Sequence, residues 1–185
     1  PGVIDRNAKV YSLNNKVLIG YVVEYSVLDL KPGLTVLNST SGSIEYNTVF
    51  QNYALGTDFV KTGEYQNSDV FLIVGNETNN NFTESSPVLL KLNPTNYGIE
   101  WSKEFFKHRG AKRHEGYLKN NIINFTGGLY NTNTVDSTFF MKVSSSNGDS
   151  LDIKWYEYNN SNNTVLLDIE ATSDGGFIMA GEVSN

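Results

Sequence analysis

Val70-Phe71-Leu72-Ile73-Val74-Gly75, Pro87-Val88-Leu89-Leu90-Lys91-Leu92-Asn93 and Ile99-Glu100-Trp101-Ser102-Lys103-Glu104-Phe105 decide how this chain folds. The first two runs are almost continuously apolar and too short for a helix, the pattern of strands covered on both faces. The third alternates apolar and polar residues, as a strand with one wet face does. Gly, Asn and Ser clusters separate the runs. A further strand over Asp58 to Tyr65 completes a set of four, roughly 58–65, 70–76, 87–92 and 98–106. No window sustains the i, i+3, i+4, i+7 stripe that a helix needs.

The same succession recurs along the chain. Val17-Leu18-Ile19-Gly20, Leu72-Ile73-Val74-Gly75, Asn124-Phe125-Thr126-Gly127-Gly128 and Ile178-Met179-Ala180-Gly181 align on Gly20, Gly75, Gly128 and Gly181, at spacings of 55, 53 and 53. Leu34-Thr35-Val36-Leu37-Asn38, Val88 to Asn93 and Phe139-Phe140-Met141-Lys142-Val143-Ser144 form a second register. Ile44-Glu45-Tyr46, Ile99-Glu100-Trp101 and Ile153-Lys154-Trp155 form a third, at spacings of 55 and 54. A period of about 54 residues carrying four antiparallel strands predicts an all-β fold of β-propeller blades. The expected division is blade 1 over 1–56, blade 2 over 57–110, blade 3 over 111–160 and the first half of blade 4 over 161–185. A β-sandwich of about 100 residues would not repeat at this period, and a β-helix coil is shorter. Propellers close with four to eight blades. Three and a half blades are an incomplete propeller, so the expected partners are the remainder of a longer chain or further copies adding strands to the unpaired edge.

The last unit carries a family resemblance. Ala171-Thr172-Ser173-Asp174-Gly175-Gly176-Phe177-Ile178-Met179-Ala180-Gly181 resembles the T-S-D-G-G-[FY]-[IV]-x-A-G hairpin signature of repeat propellers in large secreted and cell-surface proteins. Leu89-Leu90-Lys91-Leu92-Asn93 and Gly98-Ile99-Glu100-Trp101 are similar to that family's (I/L)-K-(L/V)-(N/D)-x-x-G-x-(I/L)-x-W stretch. The hairpin turns of the first and third units depart from the signature, with Leu13-Asn14-Asn15-Lys16 and Lys119-Asn120-Asn121 in its place. Asp174-Gly175-Gly176 is expected to supply positive-φ residues to a tight turn, with Thr172 and Ser173 bonding turn amides. This makes Asp174 structural rather than catalytic. The resemblance implies an extracellular or cell-surface location.

Composition narrows the function classes. The 185 residues include 24 Asn and 16 Gly but only 4 Pro, which favours many tight turns between short strands. A net charge of −6 argues against nucleic acid as a general partner, because phosphate binding needs a basic face. With no Cys there is no disulfide framework and no thiolate metal site. No apolar run reaches the roughly 20 residues of a membrane helix.

Six N-x-S/T sequons begin at Asn38, Asn76, Asn81, Asn124, Asn159 and Asn162. Asn124 falls in a second-strand segment and is expected to be buried and unmodified. Asn38, Asn76, Asn81, Asn159 and Asn162 fall in expected loops and are glycosylation candidates. Lys107-His108-Arg109-Gly110-Ala111-Lys112-Arg113-His114 is the one basic cluster, read as a loop between the second and third blades. Lys107, His108, Arg109, Lys112, Arg113 and His114 are candidates for binding an acidic glycan or a carboxylate-rich neighbour. His108 and His114 are the only histidines and lack the carboxylates of a metal site, so no metal and no cofactor is expected. Asp168 and Glu170 share a strand face, yet their apolar neighbours and the repeat context favour an exposed or inter-blade pair over the two carboxylates of glycoside hydrolysis. The chain therefore reads as a non-catalytic structural or adhesive module. The alternative is a carbohydrate-binding or glycoside hydrolase-like propeller, for which carboxylates from several blades would converge on the axis.

Overall fold

The computed structural model describes residues 6–26, 29–62, 69–76, 86–106, 110–131, 134–156 and 164–183. Among these residues every regular element is a β-strand. The first unit comprises β1 (Arg6–Leu13), β2 (Lys16–Ser26), β3 (Asp29–Asn38) and β4 (Ile44–Val49). The second comprises β5 (Tyr53–Thr62), β6 (Val70–Asn76), β7 (Pro87–Leu92) and β8 (Ile99–Glu104). The third comprises β9 (Gly110–Lys119), β10 (Ile122–Asn131), β11 (Thr134–Ser144) and β12 (Ser150–Tyr156), and β13 (Thr164–Ala171) with β14 (Phe177–Val183) forms a final hairpin. Each unit is an antiparallel meander in chain order. β5 and β9 pair in parallel, Val60 opposite Gly116 and Thr62 opposite Leu118. This joins the second and third units through their first strands into one eight-stranded sheet, ordered β12-β11-β10-β9-β5-β6-β7-β8. That sheet curls, and the described strands form no closed ring.

Two apolar layers hold the units together, and strand alternation explains how one sheet feeds both. In β6, Val70, Leu72 and Val74 point to one face and Phe71 and Ile73 to the other. The first set joins Leu13, Leu18, Leu34, Val36 and Phe50 of the first unit in one buried cluster, with Val88, Leu90 and Leu92 from β7. The second set joins Leu118, Ile123, Phe125, Leu129, Phe139, Met141 and Val143 of the third unit, with Leu89 from β7. The middle strands of the second unit are thus covered on both sides, which is why their sequences alternate between two apolar sets and admit few polar residues. The final hairpin packs on the far face of the third unit, where the Phe177 ring lies 6.0 Å from both Tyr117 and Phe140.

Each first strand carries a bulge at a matching place. The register slips between Arg6 and Lys9 in β1, between Ala54 and Asp58 in β5, between Lys112 and Glu115 opposite β10, and between Leu166 and Asp168 in β13. A bulge bends a strand and raises its twist. It also breaks the alternation that marks a strand in sequence. This accounts for the start of β5 at Tyr53 rather than Asp58: the segment before the bulge pairs Ala54 with Gly75 but is out of phase with the remainder of the strand.

The pairing corrects two of the registers drawn from the sequence. Val17 faces Leu37, Val70 faces Leu92 and Ile123 faces Val143, so these three positions are equivalent. Phe177 is the matching position of the hairpin, opposite Ala171 as Ile123 is opposite Leu118. Gly20 lies three residues beyond Val17, Gly75 and Gly128 lie five beyond Val70 and Ile123, and Gly181 lies four beyond Phe177. The four glycines therefore do not share one structural site. In the fourth strands, Leu37 faces Ile44, Leu92 faces Ile99 and Val143 faces Ser150. Ile153-Lys154-Trp155 therefore sits three residues further along its strand than Ile44-Glu45-Tyr46 and Ile99-Glu100-Trp101 do. The repeat is real and its third-to-fourth strand connections are equal in length, but in β12 sequence similarity followed bulk and not register.

Candidate functional site

The described polar networks gather on the rim where the first-to-second and third-to-fourth strand connections meet. Asn14 and Asn15 have φ of 47° and 61°, and Asn120 and Asn121 have φ of 52° and 60°. Both pairs form two-residue hairpins with two left-handed residues, the type I′ geometry for which Asn is the best residue after Gly. The final hairpin reaches the same end by another route. Gly175 takes φ of 91° and the Asp174 carboxylate accepts the Gly176 N–H at 3.1 Å. Thr172 donates its hydroxyl to that carboxylate and does not bond an amide, so Asp174 organises the turn.

The third-to-fourth strand loops follow one plan. Asn38 accepts the N–H groups of Thr40 and Ser41, both at 3.0 Å, and Asn93 accepts those of Thr95 at 2.9 Å and Asn96 at 3.2 Å. These are Asx turns, in which the side chain replaces a backbone partner. Each loop then needs a left-handed residue, supplied by Gly42 (φ 70°), Tyr97 (φ 57°) and Gly148 (φ 74°). Their N–H groups return to the carbonyls of Asn38, Asn93 and Ser144, all at 2.9 Å or less. Two loops are tied directly to the hairpin turns, Ser39 N–H to Asn15 O at 2.9 Å and Ser145 N–H to Asn121 O at 3.1 Å. Replacing Asn93 by Ala removes the acceptor of two amide N–H groups and the donor of a bond to Glu100. At about 0.5 kcal/mol net for each of these three exposed hydrogen bonds, the low end of the usual range, the expected loss is about 1.5 kcal/mol, read as a lower urea midpoint at unchanged slope.

An ionic cluster completes the rim in two units. The Asn38 amide donates to Glu45 Oε1 at 3.0 Å, and Glu45 pairs with Lys16. The Asn93 amide donates to Glu100 Oε1 at 3.0 Å, and Lys91 lies 3.3 Å from both Glu100 Oε2 and Asp69 Oδ2. The Lys16 bond, then Asn38, holds the Glu45 carboxyl below its ordinary range. Burial works against the charge on Lys91, but Asp69 and Glu100 outweigh it and raise its pKa. In the third unit the residue matching Glu45 and Glu100 is Leu151, which is exposed, so the cluster is not repeated there. Lys16, Asn14, Leu13, Leu18, Val70, Pro94 and Tyr97 line a cleft of about 110 Å3 between the first two units. Burial raises the pKa of the Tyr97 hydroxyl at its edge.

Asp174 gives this rim a pH signature. The Thr172 hydroxyl, then the Gly176 N–H, holds its carboxyl below the usual carboxylate range. A group whose pKa is lower folded than unfolded stabilises the fold above its unfolded pKa, and that contribution is lost as pH falls through the folded value. D174N is therefore expected to flatten the acid limb of a Tm-against-pH profile, leaving the profile near neutrality parallel to that of the parent chain.

The residues named from sequence are distributed unevenly. Asn38 ends β3 and is the Asx-turn residue described above. Asn124 is 3% exposed, as expected of a second-strand residue, and donates to the Tyr117 and Ile122 carbonyls, each at 3.3 Å. Asn76 closes β6. Asn81, Asn159 and Asn162 lie outside the described residues, as do Lys107, His108 and Arg109. Lys112, Arg113 and His114 belong to β9 and not to a loop: Lys112 faces Gly128, and Arg113 and His114 fall within the register slip that precedes Glu115. The backbone bonds of the β9–β10 ladder outweigh the polar character that suggested a loop. Asp168 is half-buried and accepts the N–H of Ile169 at 2.8 Å, while Glu170 is exposed. Sequence reasoning missed the Asn-Glu-Lys clusters, although Asn38 with Glu45 and Asn93 with Glu100 share a spacing of seven that was there to be read. Searches of protein-family models and of curated proteins find no match to this chain.

Proposed function

We propose that the chain is a segment of a β-propeller serving as a non-catalytic structural or adhesive module, extracellular and glycosylated, within a larger chain or surface assembly. The observation that carries this reading is the way the units face one another. Successive four-stranded meanders stack face to face through the two buried clusters, while their first strands converge. The convergence is marked by the parallel β5–β9 pairing and by Lys9 of β1 lying 3.7 Å from Glu115 of β9. Blades radiating from an axis lined by first strands have this arrangement, and bulged first strands supply the twist it requires. The rim side chains bond turns and neighbouring loops, which supports a scaffolding role.

Secretion from a glycosylating host tests the reading. The expected product has an intact mass above 20.6 kDa that falls to that value on enzymatic removal of N-glycans. Secreted material at the unmodified mass would overturn the glycoprotein assignment.

A further inference from the structure

β14 is an edge strand with the sequence of an interior one. Its counterparts β2, β6 and β10 each pair on two sides, with β1 and β3, β5 and β7, and β9 and β11. Among the described strands β14 pairs only with β13. Exposed sheet edges are ordinarily guarded by charge, Pro or irregularity. The outermost strands β8 and β12 follow that rule, with Glu100, Lys103 and Glu104 in the first and Asp152 and Lys154 in the second, and β4 adds the polar Asn47 and Thr48 to its single charge Glu45. β14 reads Phe-Ile-Met-Ala-Gly-Glu-Val, with Glu182 as its one charge and no Pro. Nor is the hairpin loosely attached. Ile169 is fully buried, Phe177 packs between Tyr117 and Phe140, and the Lys119 ammonium lies 5.8 Å from the Phe177 ring centre. The edge is therefore presented in a fixed orientation, while Ile178, 64% exposed, lies on the open face beside it.

We infer that the outer edge of β14 is a docking site for an antiparallel strand pair with the chemistry of this protein's own third and fourth strands. Unit equivalence sets the register. Position 177 takes an aliphatic residue, as Val70 takes Leu92 and Ile123 takes Val143. Position 180 takes a bulky one, as Gly20 takes Leu34 and Thr126 takes Phe140. A second folded copy cannot supply this pair, because β3, β7 and β11 are each paired on both sides and would have to leave their own sheets. The occupant is a further repeat segment, and the inference rests on the propeller reading above.

The test adds a synthetic peptide with the sequence of residues 86–106, which spans a third and a fourth strand, to the full chain. Amide hydrogen exchange and sedimentation are followed together. The expected result is saturable one-to-one binding that slows exchange across Phe177–Val183 at least tenfold, with no such effect from the same peptide carrying Leu90→Pro. Unchanged exchange in β14 at saturating peptide overturns the inference. So does equal slowing by the Pro peptide, or slowing that accompanies dimerisation of the chain itself. Any of these leaves the propeller reading standing provided β6 and β10 stay protected in the free chain. Exchange in β6 and β10 as fast as in free β14 would instead overturn that reading.

Discussion

Replacing Phe125 by Ala is expected to lower the unfolding free energy by about 3–5 kcal/mol, a large share of the margin a domain of this size has. Phe125 is fully buried at the centre of the layer between the second and third units. Its ring lies 5.2 Å from that of Phe139 and 6.0 Å from that of Phe105, so truncation removes aromatic contacts on both sides of the junction as well as apolar area. The cavity opens between the two halves of the curled eight-stranded sheet, whose strands are fixed by their ladders, which limits collapse around it. The measurement is the urea midpoint. A companion Phe125→Leu variant, which keeps most of the volume, is expected to lose less than half as much. Equal losses in the two variants would show that the aromatic geometry matters more than the volume.

Gly148→Ala is the second large effect, and Gly42→Ala is its control. Both glycines hold the same left-handed position in equivalent loops, with φ of 74° and 70°. Adopting that conformation costs a residue with a Cβ about 1–2 kcal/mol. At Gly42 a Cβ meets nothing within 4 Å, so the backbone cost is all that is expected. At Gly148 it would come within 2.9 Å of the Trp101 ring and 3.1 Å of the Lys103 Cβ, both on β8 of the preceding unit. Overpacking of this kind costs about 1–3 kcal/mol more, which puts Gly148→Ala at about 2–5 kcal/mol in total. The Lys103–Asp149 pair, at 3.0 Å across the same junction, would be disturbed as well, although as an exposed pair it adds little. The two substitutions are to be compared by thermal and urea unfolding. If they cost the same, the fit between Gly148 and Trp101 is not what joins the second and third units.

That fit shows how the units vary without losing their junctions. At the preceding junction the left-handed position is Tyr97, and the β4 residue facing it is Tyr46, with ring centres 5.2 Å apart. Where the loop residue shrinks to Gly148, the strand residue grows to Trp101. One interface is filled from both sides and the other chiefly from one, and the sheets keep a close-packed separation in both.

Local features were legible from the chain alone. The strands β6 and β7 coincide with the runs 70–76 and 87–92, because short continuous apolar runs and flanking Gly, Asn and Ser residues are short-range signals. The Asn-Asn turns and the Asp174 hairpin were readable for the same reason, since positive φ falls to a few residue types. Burial of Asn124 followed from its place in a second strand. The second half of the basic cluster misled, because charge was read as a loop where the β9 backbone pairs through Lys112 to His114.

What the sequence determined by itself is therefore the repeat, the all-β class and most of the turns, each encoded within a few neighbouring residues. Only the tertiary structure decided the true register between units, the parallel seam of β5 with β9, and which loop seats on which strand. Those depend on side chains from sheets more than 40 residues apart filling one space, as Trp101 does over Gly148. Bulk can be traded across such a contact, so residues that look alike in the sequence need not stand in equivalent places in the fold.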